Sequence, residues 1–291
     1  MFIPSKILII FKKSKYELDL EKYGNTARNI WKLQNNCEDH IYQSHLRQME
    51  SREKVKNLFP ESMFIARDEM NSHDSRDYEL VIALGGDNHF TYISHFAGPT
   101  AILGCNSDTE TSAGELLAFD PDTLADAVKS GWKNARIEEW PLIEGEIKYI
   151  DGSVVKTYPS VSEITVRNNC PDLVSRYIIR YKGKVEEQKC SGLLVYTGAG
   201  STGWVLSSTN DRNVVFSKSD NYFMVYAREI RQNKAGELAH FRADDRVSLT
   251  SEMDGGISID SLQERVYKFP PGSELTLKLS PQKLKVVINE P

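Results

Sequence analysis

Val81-Ile82-Ala83-Leu84-Gly85-Gly86-Asp87-Asn88-His89-Phe90 is the stretch that decides the fold. The apolar run from Leu80 to Leu84 has the length and composition of a strand and ends on two glycines. Phe90, Ile93 and Phe96 or Ala97 then recur at helical spacing. This predicts a strand, a tight glycine turn and a helix. The glycines permit a sharp turn and a close approach of a ligand to the main chain, while amides at a helix start attract phosphate oxygens. Asp87 stands at the helix start. A plain turn with Asp87 as helix N-cap is an open alternative on these residues alone.

Working outward, Lys6 to Phe11 reads as a first buried strand, Met63 to Ala66 as a second, Leu80 to Leu84 as the third and Thr100 to Leu103 as the next. Part of Tyr16 to Asn36 is expected to be helical. His45 to Phe59 predicts a surface helix with a narrow buried stripe of Met49, Val55, Leu58 and Phe59, ended by Pro60. A short helix is expected from Asp122 to Lys129. Strand and helix alternation predicts a mostly parallel sheet, whose ligands bind beyond the carboxyl ends of its strands, where Gly85-Gly86-Asp87 falls.

After about Arg136 the pattern changes to short strand candidates: Ile143 to Ile150, Val161 to Arg167, Tyr177 to Tyr181, Leu193 to Thr197, Tyr222 to Tyr226, Val247 to Thr250, Ile257 to Ile259 and Leu275 to Leu279. Asp151-Gly152, Lys182-Gly183 and Pro270-Pro271-Gly272 supply turns between them. The expected architecture is an α/β domain over residues 1–130 and a β-rich, β-sandwich-like domain over residues 131–291.

Composition sets the outer bounds. The 291 residues carry 36 basic and 41 acidic side chains, a net charge of −5 with no basic block, which argues against nucleic acid or an anionic membrane as partner. Apolar runs span only a few residues, against roughly 20 for a bilayer span, and neither a secretory nor a transit pattern appears at the start. A soluble, cytoplasmic protein is expected. Cys37, Cys105, Cys170 and Cys190 are scattered and predict reduced, mostly packed thiols; no histidine stands at metal-ligand spacing, so no all-protein metal site is expected.

Two further stretches carry candidate chemistry. Gly198-Ala199-Gly200-Ser201-Thr202-Gly203 satisfies G-x-G-x-x-G after a strand, yet its surroundings are β-rich and no strand-end acid follows about 20 residues on, so a Rossmann loop is disfavoured. A plain glycine turn with Trp204 in the core is the simple alternative. Glu163 sits on an alternating strand among Val161, Ile164 and Val166; it is either an exposed strand-face residue or an acceptor for paired hydroxyls.

Taken together these stretches resemble the NAD kinase family. Gly85-Gly86-Asp87 after a hydrophobic strand is similar to the G-G-D-G-T element shared with diacylglycerol-type lipid kinases and 6-phosphofructokinases. Ile102 to Leu117, with Gly104, Asn106, Asp108, Ser112 and Gly114, resembles the following segment of the mitochondrial-type branch. Ser162-Glu163-Ile164-Thr165-Val166 stands where the family has A-L-N-E-V. Ser191-Gly192-Leu193-Leu194-Val195-Tyr196-Thr197-Gly198-Ala199-Gly200-Ser201-Thr202-Gly203-Trp204 resembles D-G-x-x-x-S-T-P-T-G-S-T-A-Y. Lys15-Tyr16-Glu17, Arg228-Glu229-Ile230 and the closing strands from Ile257 to Val287 add to the match. The elements occur in the family's order over most of the chain. This chain has Asn88-His89 for Gly-Thr, Ser162 for asparagine, Ser191 for aspartate and Asp260-Ser261 for the common Asp-Gly.

The resemblance implies an ATP-dependent kinase that phosphorylates the adenosine 2′-hydroxyl of NAD to give NADP, using Mg²⁺ and working as a homodimer. It implies Asp87 as the base that receives the hydroxyl proton, and Gly85, Gly86, Asn88 and His89 around the donor phosphates. Asn106, Ser162, Glu163, Thr197, Thr202, Gly203, Trp204 and Ser207 fall where the family binds NAD. The Mg²⁺ is expected on the donor phosphates. The alternatives are a catalytically silent NAD- or NADP-binding protein, or a related kinase acting on a lipid or other hydroxyl.

Overall fold

A computed structural model describes residues 2–34, 38–231 and 236–290. The chain separates into two compact units, Met1–Glu138 with Lys285–Pro291, and Glu139–Leu284.

In the first unit, β1 (Ile7–Phe11), β2 (Met63–Ala66), β3 (Leu80–Gly85) and β4 (Ala101–Asn106) form a parallel sheet in the order β2-β1-β3-β4. Every residue of β3 and β4 is buried, as expected of parallel strands covered on both faces. Ile9 pairs with Ile82, which pairs with Leu103. These side chains point to one face and pack with Val55, Phe59 and Leu124. On the other face Phe90 closes on Gly104. Each such fully buried aliphatic or aromatic side chain contributes about 1.5–3 kcal/mol. Val286 and Val287 extend the sheet beside β4 in parallel.

The helices are α1 (Lys15–Tyr23), α2 (Ala27–Leu33), α3 (Glu38–Leu58), α4 (Asp87–Ala97) and α5 (Pro121–Lys129). Ser14 starts α1 with a reciprocal capping box: its hydroxyl accepts from Glu17 N (3.2 Å), and Ser14 N donates to the Glu17 carboxylate (2.7 Å). Asp120 and Pro121 start α5 in the same economical way, with the Asp120 carboxylate accepting from the amides of Asp122 and Thr123. The long helix α3 begins seven residues before the expected His45, and its buried positions are Ile41, Arg52 and Val55, whereas Met49 is 36% exposed. Arg52 breaks the apolar stripe for a reason. Its guanidinium donates to both oxygens of Glu17 (2.8 and 2.7 Å) and to Lys12 O (2.8 Å), clamping the chain where it leaves β1. Burial raises the Glu17 carboxyl, but Arg52 and the Ser14 contacts outweigh it and bring it to about 2.

The second unit is an antiparallel sandwich, in line with the sequence. It contains β5 (Ala135–Lys148, entering from the first unit), β6 (Val154–Lys156), β7 (Glu163–Asn168), β8 (Ser175–Tyr181), β9 (Lys184–Cys190) and β10 (Leu193–Tyr196). After the six-residue α6 (Trp204–Thr209) come β11 (Phe223–Ala227), β12 (His240–Ala243), β13 (Val247–Ser251), β14 (Gly255–Ile259), β15 (Val266–Phe269) and β16 (Glu274–Asn289). One layer runs β12-β11-β10-β7-β14-β15, and β16, β13, β8 and β9 pair in the other. Ile164, Val195, Val225 and Ile257 from the first layer meet Tyr177, Ile179, Leu249 and Leu275 from the second.

The sequence reading missed β6, β9, β12 and β15, which are short or strongly polar; β9 reads Lys-Val-Glu-Glu-Gln-Lys-Cys. The last expected strand, Leu275 to Leu279, is part of one 16-residue strand. Lys182 and Gly183 both take positive φ, +45° and +80°, as a two-residue hairpin between β8 and β9 requires. Cys105 and Cys190 are buried, Cys170 is exposed, and Cys37 lies outside the described residues. Among the described residues no helix is long and apolar enough to cross a membrane.

Candidate active site

In the first unit's sheet, the connection from β1 leads out to β2 and the chain then returns past β1 to β3. The carboxyl ends of β1 and β3 therefore flank the point where strand order reverses, the place where open α/β sheets bind ligands. A cleft of about 360 Å³ lies there, and Lys12, Gly86, Asp87, Asn88, His89 and Asn106 are among its walls.

Asp87 is not the cap of its own helix. Gly86 occupies that position with extended backbone, and Asp87 is the first helical residue. Its carboxylate reaches across to the loop after β4, where Oδ1 accepts from Leu116 N (2.8 Å) and Oδ2 from Glu115 N (3.2 Å). These amides fix the carboxylate at the cleft wall. Asn106 holds the same loop, donating to Ser112 O (3.1 Å) and accepting from Asp108 N (3.1 Å). Asp108 is buried and anchors the loop to α3 through Arg47 Nε (2.7 Å) and the hydroxyl of Ser44 (2.6 Å). Burial raises its carboxyl, and Arg47, Ser44 and Thr111 more than reverse that.

Asn88 is exposed at the cleft and helical, so no left-handed bend exists there for an asparagine to rescue. His89 corrects the sequence reading more sharply. It was expected at the donor phosphates, but its ring is 1% exposed and forms the floor of the cleft, with Nε2 donating to Ile10 O (2.9 Å). Burial pushes it down to about 3, with Arg67 and Lys12 adding to the effect. A neutral ring whose N–H is engaged by a backbone carbonyl offers phosphate no cation. Gly85 is required beneath it, because a Cβ there would stand 2.7 Å from His89 Cδ2.

Lys12 is the residue sequence reasoning missed. It follows the apolar run of β1 directly, at the strand end where the topology puts the ligand, and that position was the signal available. Its ammonium makes no ion pair among the described residues, and burial and then Arg67 lower its pKa.

In the second unit, a cleft of about 340 Å³ is walled by Thr165, Arg167, Trp204, Gln263 and Ser261, among others. Trp204 is 38% exposed with the Arg228 guanidinium 4.5 Å from its ring centre, which disposes of the core alternative. Glu163 is 8% exposed, not a strand-face residue in solvent. Its carboxylate accepts from Ser162 Oγ (2.6 Å) and Ser261 Oγ (3.0 Å). Burial and then Asp260 raise its pKa, and the two hydroxyls oppose them.

Thr197, expected to touch a dinucleotide, is fully buried. Its hydroxyl donates to Val161 O (2.5 Å) and accepts from Ala199 N (3.1 Å), so it ties the glycine loop to the segment leading into β7. The loop then presents Thr202 half-buried and Gly203 exposed; Ser207 is also exposed, its hydroxyl donating to Gly203 O (3.3 Å). The strand before this loop is paired antiparallel with β7 and β11, which rules out a Rossmann βαβ unit. Arg167 and Gln263 carry no motif that sequence reasoning could have used, and Thr165 lay inside the Ser162–Val166 stretch without being singled out.

No protein-family model matches the chain. It is 27% identical over 228 residues to the NAD kinase of Pyrococcus furiosus, covering 72% of this chain and 73% of that one. It is 30% identical over 169 residues to a probable NADH kinase of Oryza sativa, half of each chain, and 27% identical over 135 residues to NAD kinase 1 of Bacillus cereus. The chain spans about half the length of these last two relatives. The fold is shared along almost its whole length: 98% of the chain superposes on the Archaeoglobus fulgidus NAD kinase solved with ATP, covering 93% of that chain, with a TM-score of 0.62 at 16% identity.

The chain is similar to NAD kinases in sequence and shares their fold.

The NAD kinase fold extends to the yeast NADH kinase solved with NADH, of which it covers 84% with a TM-score of 0.68 at 14% identity, again over 98% of this chain. The Gly-Gly-Asp element of this chain borders the cleft of the first unit through Gly86 and Asp87, and the glycine loop of the second unit leads into Trp204 at the wall of that unit's cleft.

Proposed function

We propose that this protein is an ATP-dependent NAD kinase of the mitochondrial-type branch, transferring the terminal phosphoryl group of ATP to the adenosine 2′-hydroxyl of NAD or NADH. The observation that carries the reading is Asp87, a carboxylate fixed at the wall of the switch-point cleft by the amides of Glu115 and Leu116. The ATP and NADH named with the two solved relatives support the choice of donor and acceptor.

In this reading the acceptor hydroxyl gives its proton to Asp87 as its oxygen bonds to phosphorus, and the bond from phosphorus to the bridging oxygen breaks to release ADP. Phosphoryl transfer depends mainly on alignment and charge neutralisation, so the residues need only hold and neutralise. Gly86 and Asn88 border the donor phosphates, Lys12 supplies a cation, and Asn106 keeps the loop that orients Asp87. A Mg²⁺ bound with the donor would offset the charge of its phosphates.

Glu163, Trp204 and the exposed part of the glycine loop, Thr202, Gly203 and Ser207, serve the dinucleotide, with Ser162 bracing Glu163. A homodimer in the cytoplasm belongs to the same proposal and rests on the family resemblance. His89 favours an active enzyme over a silent binding protein, because the bulk that replaces threonine lies in the floor and leaves the cleft open.

The test is to incubate purified protein with Mg-ATP and NAD or NADH and follow NADP(H) with a coupled dehydrogenase. Turnover supports the kinase. Dinucleotide binding without turnover would establish the silent protein instead.

A further inference from the structure

Asp260 and Ser261 are consecutive non-glycine residues in the left-handed region, with φ of +51° and +56°. Such a pair costs conformational energy and persists only where its surroundings over-determine it. Asp260 has clear reasons to be there: its carboxylate accepts from Ser160 Oγ (2.6 Å), Val161 N (3.0 Å), Ser162 N (2.8 Å) and Glu163 N (3.0 Å). These bonds staple the turn after β14 to the start of β7. Glycine would serve the backbone at Ser261 better, so its side chain needs a separate reason.

That reason is on its two sides. Its hydroxyl donates to Glu163 Oε1, and the residue itself borders the second unit's cleft with Thr165, Arg167 and Trp204. A hydroxyl that donates to a buried carboxylate becomes a better acceptor on its other side. We propose that Ser261 is a positioning residue of this cleft: it holds the Glu163 carboxylate in its ionised form and passes that pull to a ligand hydroxyl, the ligand class being the ribose cis-diol of a nucleotide. The ligand class rests on the acceptor reading given above. Ser162 does the holding from the other carboxylate oxygen. The charged group facing Glu163 among the described residues is Asp260, which opposes its ionisation, as does burial.

The experiment uses the full chain and its Ser261→Gly variant, since glycine takes a φ of +56° without strain and keeps the fold. Two readouts are taken: NAD affinity by calorimetry across pH, and the ligand-free titration of the Glu163 carboxyl by ¹³C NMR. Loss of one hydroxyl donor leaves burial and Asp260 less opposed, so Glu163 should titrate higher in the variant. NAD affinity should fall about tenfold. Binding should also be lost at a higher pH as acid is added. Wild-type binding of NAD with unchanged affinity and unchanged Glu163 titration in Ser261→Gly overturns the inference alone. Failure of the wild type to bind NAD overturns the acceptor reading and the ligand relay with it, and the ligand-free titration then decides whether Ser261 holds Glu163.

Discussion

Replacing His89 by Gln tests whether the residue that departs most from the family pattern is a buried neutral core group. The imidazole titrates at about 3 in the folded protein against an ordinary value of 6.5, because burial disfavours its charged form. Between those values the unfolded chain binds one more proton than the folded one, so stability rises with pH across the window. The contribution is complete above about pH 7 and is lost as acid is added, with a limiting slope of about 1.4 kcal/mol per pH unit. Integrated from pH 7 to pH 5, this amounts to about 2 kcal/mol. Glutamine can place an amide N–H near the position of Nε2 and keep the bond to Ile10 O without titrating. Urea unfolding of both proteins at the two pH values isolates the term, since groups common to both cancel in the difference. The wild type should lose about 2 kcal/mol more than His89→Gln. Equal losses would refute the neutral, buried histidine.

Two other substitutions address the clefts. Lys12→Met removes the ammonium that lines the cleft with Asp87; the KM for ATP should rise roughly tenfold, about 1.4 kcal/mol, with the KM for NAD unchanged, and the opposite split would remove Lys12 from the donor side. Gly200→Ala drives a Cβ into the carbonyl of Ser162, backbone against backbone, so thermal unfolding should report a loss of at least about 2 kcal/mol, and an unchanged midpoint would mean the loop has room that its geometry denies.

The α/β half was legible because its strands are uninterrupted apolar runs: Ile7–Phe11, Met63–Ala66 and Leu80–Gly85 lie within a residue of where the sequence puts them. Polar strands such as Lys184–Cys190 escaped because charged and amide side chains dominate the run and leave no apolar alternation to read, although its partner strand lies just across the Lys182-Gly183 turn. At the site, the Gly-Gly-Asp turn and its aspartate were readable from glycine chemistry and strand order. His89 was misread because sequence gives a residue's type and not the direction of its ring, and only the carbonyl of Ile10, 79 residues away, reveals it. Thr197 was misread for a similar reason, its hydroxyl being engaged within the turn. The pairing of Ser261 with Glu163 spans 98 residues and depends on two left-handed backbone angles that no local pattern announces.

The central claim is that Asp87 is the base of an NAD kinase, and the direct measurement compares Asp87→Asn with the wild type for NADP(H) formation from Mg-ATP and NAD or NADH, with circular dichroism confirming the fold of both. A positioned base contributes about 10²–10⁴-fold, so the account predicts turnover in the wild type and a loss of at least about a hundredfold in the variant. A folded Asp87→Asn protein that turns over at the wild-type rate would contradict it.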